Sequence, residues 1–413
     1  MDVLVAGGGA AGFFAAIEAR RRHPQARVLL AEKSRELLAK VSISGGGRCN
    51  VTHACPDPRR LVTHYPRGGR ELLGPFHRFH PGHTESWFAE RGVPLKTEPD
   101  GRMFPVTDRS QTVVDCLLRE SNRVGVEIAT RRGLQSATFD PATRRFTVAF
   151  TDQTTAAFDR LLLATGGNLN SGGWETAAAL GHTIEPPVPS LFTFHLEDPR
   201  LEGLSGLSVP DAEVCVPGTR LVQRGPLLIT HWGLSGPAVL KLSAWGAREL
   251  HDREYHFPLR VRWQAALDEA RVRDAILQAR GRHGAAKLAN HRLLDLPQRL
   301  WERLLRAAGT DPDARWSILP REGAEGLVRE LAGGLYSVTG KSLFKEEFVT
   351  CGGVRLAEVD FRSFASRKVP GLFFAGEVLD IDGVTGGFNF QAAWTGGWLA
   401  GQALAAETPR PGP

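Results

Sequence analysis

Gly7, Gly9 and Gly12 have G-x-G-x-x-G spacing, between an apolar run (Val3 to Ala6) and an alanine-rich segment of helical character. Glu32 follows at the end of a second apolar run, Arg27 to Ala31. These residue types at this spacing suit one task, holding a dinucleotide. Gly7 permits a tight strand-to-helix turn, Gly9 lets backbone approach a pyrophosphate, and Gly12 allows the helix to pack closely on the strand. The N–H groups opening that helix, at Ala10 and Ala11, attract phosphate oxygens. A carboxylate at Glu32 accepts hydrogen bonds from an adenosine ribose and repels a 2′-phosphate, which selects FAD or NAD over NADP.

A second glycine cluster extends the site. In Ser44-Gly45-Gly46-Gly47-Arg48-Cys49-Asn50, three consecutive glycines mark backbone that passes very close to a neighbour. The expected neighbour is the cofactor, with Ser44, Gly45, Gly46, Arg48, Cys49 and Asn50 as contacts. A third turn, Thr165-Gly166-Gly167, ends the apolar run Arg160 to Ala164, where a doubly wound sheet again meets its ligand. His231, in the polar and aromatic stretch Thr230 to Pro237, is a candidate for a role facing substrate.

The elements that must position these groups are those of an α/β chain with insertions. At 413 residues, 42% hydrophobic and 23% charged, the chain has room for two or three domains. The formal charge of +6 comes from dispersed lysines and arginines, so no nucleic-acid partner is expected. Five cysteines without C-x-x-C spacing indicate neither a disulfide framework nor a zinc site, and the expected compartment is the cytoplasm. No apolar window is long enough to span a bilayer.

Along the chain, Ser86 to Arg91 reads as helix, and His64 to His83 as loop and packing. Gly101 to Asp108 is expected to be a turn feeding an amphipathic helix with Val113, Val114, Leu117 and Leu118 on its core face. Gly125 to Ile128 and Phe146 to Phe150 are expected as strands joined through a turn at Asp140-Pro141. From about Pro186, proline-punctuated short strands (Leu191 to Leu196, Ala212 to Val216, Leu227 to Thr230) suggest an inserted β domain. Helical periodicity then covers 263–335. Strand and glycine texture return at Phe348 to Gly353, a final helix follows Gly386 to Asn389, and the proline-rich tail from Glu407 is expected to lack structure.

Together these motifs resemble one family, the BaiN-like (YhiN-like) NAD(P)/FAD-dependent oxidoreductases, flavoproteins of the glutathione-reductase-like superfamily. The resemblance spans nearly the whole chain and is most specific from Val369 to Gly401. Two segments depart from the family pattern: Leu38-Ala39 precedes Lys40 in place of Gly-Arg, and Asn168 to Trp174 is short and lacks a tyrosine. The resemblance implies a Rossmann-type FAD-binding domain split in sequence, 1–190 and 345–413. It would be interrupted by a β domain (191–262 plus about 336–344) and a helical subdomain (263–335). It also implies that Gly376 and Glu377 face the pyrophosphate and ribityl chain, and that Gly387, Phe388 and Asn389 reach the isoalloxazine. Lys33, Lys40, Leu134, Asp380 and Gly386 join the implied cofactor contacts.

The expected activity is FAD-dependent oxidoreduction, with hydride passing from a transiently bound NAD(P)H through FAD to an activated C=C bond of a small hydrophobic substrate. Arg48, His231 and Asn389 are the catalytic candidates, and no metal is required. No second G-x-G-x-x-G follows a strand in the insertion, so a separate nicotinamide domain is not expected. The alternatives are an FAD-dependent oxidase of a small amine using O2, and an FAD-containing RNA-binding or RNA-modifying protein.

Overall fold

The computed structural model describes residues 1–167, 172–293, 295–342 and 349–404. The Asn168 to Ser171 part of the departing segment, Phe348 and the tail from Glu407 lie outside the described residues. The chain forms two compact units, Met1–Val188 with Lys345–Pro413, and Pro189–Phe344.

In the first unit the central strands are β1 (Asp2–Ala6), β2 (Arg27–Ala31), β3 (Glu127–Ala129), β4 (Arg160–Leu163), β5 (Val359–Asp360), β6 (Ala365–Ser366) and β7 (Leu372–Phe374). They make one seven-stranded sheet in the order β5-β6-β7-β4-β1-β2-β3. The five strands from β7 to β3 are parallel, and β5 and β6 add an antiparallel edge. Val3, Leu4, Val5 and Leu161 to Leu163 are fully buried, as parallel strands covered on both faces require.

Two helices cover the centre of this sheet: α1 (Ala10–Arg22), and a C-terminal helix, Phe388–Leu404, here called α3 because α2 (Ala39–Gly47) precedes it. They approach closely because glycines line the contact. A Cβ at Gly397 would lie 2.4 Å from the Ala11 carbonyl oxygen, and one at Gly401 2.6 Å from that of Ala15. Phe14 of α1 packs against two indoles, with ring centroids 4.6 Å from Trp394 and 4.4 Å from Trp87.

Several elements differ from the sequence reading. Glu127–Ala129 pairs with β2 in the main sheet, and the antiparallel partners of Arg145–Phe150 are Thr155–Phe158 and Leu134–Asp140, the latter a strand the alternation did not reveal. A register shift between Leu134 and Ser136 breaks its period, so its apolar residues do not alternate cleanly. Residues 64–83, read as loop, contain the helix Gly69–Arg78 and the start of Pro81–Ala89. Pro75 inside the first of these, and Pro81 opening the second, disguise the helical period. Part of 101–108 is a short strand, Arg102–Pro105.

The second unit carries a seven-stranded sheet in which all the pairings are antiparallel. Its sheet and its helices share one core, with Val214, Leu227, Trp263, Leu300, Trp301 and Leu327 all fully buried.

Candidate functional site

The C-terminal ends of β1, β4 and β7 converge. The Ala164 N–H bonds to the Ala6 oxygen (2.8 Å), Ala375 N–H to the Leu163 oxygen (3.1 Å), and Gly7 N–H to the Ala31 oxygen (2.8 Å). Gly7 adopts φ +118°, and a Cβ there would lie 2.3 Å from the Ala164 carbonyl oxygen, so the turn admits only glycine. Gly12 is equally constrained, with a Cβ only 2.0 Å from the Gly7 oxygen. Gly9 is the opposite case: its Cβ would meet no atom within 4 Å.

Gly9 caps α1, whose first internal bond runs from Phe13 N–H to the Gly9 oxygen (3.0 Å). The N–H groups of Ala10, Ala11 and Gly12 therefore have no acceptor within the helix, and no acidic side chain sits in its first turn. An open backbone cradle at the positive end of a helix dipole is suited to a pyrophosphate.

Glu32 is fixed at the end of β2. Its carboxylate accepts from Gly8 N–H (2.7 Å) and Ser34 N–H (2.9 Å), which leaves lone pairs on both oxygens for ribose hydroxyls. Lys33 is exposed beside Gly133, whose Cβ would lie 2.5 Å from that of Lys33, and buried Leu134 follows directly. The C-terminal motif meets this cradle. A Cβ at Gly376, where φ is +76°, would lie 3.1 Å from the Ala11 Cβ, and Glu377 forms an ion pair with Lys40. Thr165 and Gly166 follow β4, and Gly166 lies across from the Glu377 carboxylate. The Thr165 hydroxyl oxygen is buried and finds no hydrogen-bond partner among the described residues. An open glycine, unbonded helix N–H groups and an orphaned hydroxyl, all in one place, fit a bound dinucleotide.

The glycine run forms a neighbouring part of the same unit. After five residues of α2, Ser44 leaves helical geometry, and Gly45, Gly46 and Gly47 take φ of +59°, +69° and +81°. A Cβ at Gly46 or Gly47 would meet nothing within 4 Å. Arg48 lies with its guanidinium 3.9 Å from the Phe104 ring centroid and pairs with Glu98 (2.6 Å). Cys49 is fully buried, and burial pushes its thiol up to about 12, against a hydrogen bond to Ser44. This is a packed, inert cysteine. Asn50, in the amide orientation that satisfies both of its polar atoms, donates to the Thr52 oxygen and accepts from Gly387 N–H, each at 3.0 Å.

Gly386 and Gly387 (φ +128° and +91°) bring the start of α3 against this segment. The Asn389 amide clasps its own approach loop, accepting from Gly383 N–H (2.7 Å) and donating to the Gly383 oxygen (2.9 Å). Its polar atoms thus position the helix. Asp380 joins the preceding loop to Val354 through its N–H (3.2 Å). His231 belongs to the second unit, where it is exposed at a hairpin tip.

The sequence reading passed over three features. Phe388 stacks with His64 (4.2 Å) and His53 (4.7 Å). Arg67 pairs through two nitrogens with the fully buried Asp382. Gln391, Thr52, Thr84 and Thr395 form a buried hydrogen-bonded network. All three join residues more than 300 positions apart except the Thr395 link, and no local pattern announces such a pairing.

Fold and cradle define the class, a Rossmann-type FAD-binding protein. The family model described as "HI0933-like protein Rossmann domain" matches residues 1–403. The chain is 31% identical over 421 residues to a ribosomal RNA dihydrouridine synthase of Escherichia coli (strain K12), covering 98% of each chain. It is 29% identical to a 3-dehydro-bile acid delta(4,6)-reductase of Clostridium scindens, covering 98% of this chain and 99% of the relative. Among solved structures, a 3-ketosteroid-delta4-(5alpha)-dehydrogenase from Rhodococcus jostii RHA1 superposes with a TM-score of 0.54 at 17% identity, covering 98% and 97% of the two chains. The chain belongs to the HI0933-like Rossmann-domain family, as the motif resemblance indicated, and within it to the FAD-dependent oxidoreductases.

Proposed function

We propose that this protein is a reductase that takes hydride from NAD(P)H through FAD and delivers it to a C=C bond conjugated with a carbonyl. The observation that carries this reading is the chemistry shared by two relatives aligned over 98% of the chain. One is named as a dihydrouridine synthase and the other as a delta(4,6)-reductase, and both names describe saturation of such a bond. The ring could therefore be a nucleobase in RNA or a free enone, and the first of these reopens the nucleic-acid partner that the dispersed charge argued against.

Bound FAD supplies the hydride chemistry. The chain's own part is to hold and orient. Ala10, Ala11 and Gly12 offer N–H groups to the pyrophosphate, Glu32 offers carboxylate lone pairs to the ribose, and Thr165 and Glu377 offer polar groups beside Gly166. Lys40 neutralises Glu377 at the rim. The described part of the second unit pairs its strands antiparallel, so it has no second parallel βαβ cradle for a nicotinamide. The donor on this reading visits the flavin transiently.

The test is anaerobic turnover with NADH or NADPH, using a uridine-containing RNA and a steroid enone as separate acceptors. The expected product has gained two hydrogens across the conjugated bond. In a parallel aerobic assay, substrate-dependent peroxide release from a small amine, with neither acceptor reduced anaerobically, would instead establish the oxidase reading.

A further inference from the structure

In the first unit, the helix Pro81–Ala89 is closed at its N-terminal end by two histidines. Helices are usually capped there by Ser, Thr, Asp or Asn, whose side-chain oxygens accept from N–H groups of the first turn. Here His80 takes the cap position, and its Nδ1 accepts from Gly82 N–H (3.1 Å). Three residues on, His83 reciprocates, its Nδ1 accepting from His80 N–H (3.1 Å). The two rings lie 4.0 Å apart, and a Cβ at Gly82 would come within 3.0 Å of the His80 ring. An imidazole accepts at Nδ1 only when it is neutral with its proton on Nε2, so this cap requires both histidines uncharged.

A proton on either Nδ1 turns an acceptor into a donor that faces a backbone N–H, and puts a cation at the positive end of the helix dipole. The charges that act on His80 are of its own sign: those of His83 and of His77, in the last turn of the preceding helix Gly69–Arg78. Arg78 beside it is bonded to the Arg362 oxygen (2.6 Å). α3 meets Phe79, the residue before the cap, with Trp398 and Thr395, and α1 meets Trp87 with Phe14. The strands packed on the helix, Thr52–His53 and Leu95–Thr97, bring His53, bonded to the Asp100 oxygen, and Lys96, paired with Asp108. Burial first, and then the two histidines, lower His80 from its ordinary 6.5. A histidine lowered in the folded chain contributes stability that is full above its unfolded value and is lost as pH falls below it. The helix is also tied to its neighbours, since Thr84 donates to Gln391 of α3 (2.9 Å).

We propose that His80 and His83 form an acid-sensitive latch, whose protonation opens the first turn of this helix and frees Thr84 from α3. The test is hydrogen exchange of the holoprotein, read by mass spectrometry at pH 7.5 and pH 5.5 and corrected for intrinsic exchange rates. Ordinary carboxylates stay charged across this range. In wild type, the protection of peptides covering 80–89 will fall at least about fivefold at pH 5.5, the worth of one helix cap, relative to peptides from the helix Ser110–Val124. His80→Asn combined with His83→Gln keeps an acceptor at each position but titrates at neither. It will match wild-type protection at pH 7.5 and lose the acid response.

Wild-type protection that does not fall at pH 5.5, or an equal fall in the double variant, would overturn the proposal. If the double variant is already less protected at pH 7.5, the single variants His80→Asn and His83→Gln decide. A smaller acid response in either supports the latch, and a full response in both overturns it.

Discussion

Gly9 and Gly12 sit three residues apart in one motif, yet a side chain has opposite consequences at the two. At Gly9 (φ −96°, ψ −171°) an alanine is conformationally allowed and its methyl enters open space. Gly9→Ala should leave the unfolding free energy of the apoprotein, read by urea titration, unchanged or raised by less than about 1 kcal/mol, while FAD content falls. Gly12→Ala drives a methyl into the Gly7 carbonyl and should destabilise the apoprotein by about 1–3 kcal/mol, as overpacking does. Equal loss of apoprotein stability in both would contradict the cradle assignment. Cys49 gives a chemical prediction at the same scale. With its thiol held near 12 by burial, it should resist iodoacetamide at pH 8 in the folded protein and react only in denaturant, as mass mapping would show.

At the scale of elements, the contact between α1 and α3 decides whether the C-terminal motif reaches the cradle. Gly397 and Gly401 are one turn apart on α3 and rest on the Ala11 and Ala15 carbonyls. Gly401→Val should separate the helices, lowering both the unfolding midpoint and FAD retention, whereas a substitution at the partly exposed Gln402 should do neither. Most of this site was legible because its chemistry is local: a glycine pattern, an acid after a strand, and a long C-terminal motif each fit within a few dozen residues. The Leu134–Asp140 strand was hidden by its register shift, and the helices between 69 and 89 by prolines. The Arg67–Asp382 and His64–Phe388 contacts exist only once the chain has folded back on itself. Asn389 shows the remaining limit, since sequence places it at the helix start but not which way its amide is committed.

At the scale of the whole molecule, the first unit is assembled from both ends of the chain, so its stability depends on ties between distant segments. Glu358 is one of them. Burial alone would raise its carboxyl, but Lys368 (2.7 Å) and the Thr183 N–H and hydroxyl (2.9 and 2.8 Å) outweigh burial and hold it at about 2, below its ordinary 4.5. A carboxyl depressed in the folded state stabilises fully above its unfolded value and loses that contribution as pH falls. The unfolding midpoint should therefore drop between about pH 4.5 and about pH 2, and Glu358→Gln should flatten that part of the profile.

On the proposed reading, the glycine cradle of the first unit holds FAD, and a nicotinamide reduces it. The most direct measurement is the visible spectrum of the purified protein, followed anaerobically as NADH and then NADPH are added. A bound-flavin spectrum that bleaches rapidly with one of the two is the predicted result. No flavin spectrum even after reconstitution with FAD would contradict the claim at its base, and bound FAD that neither nicotinamide bleaches would contradict the reductase assignment.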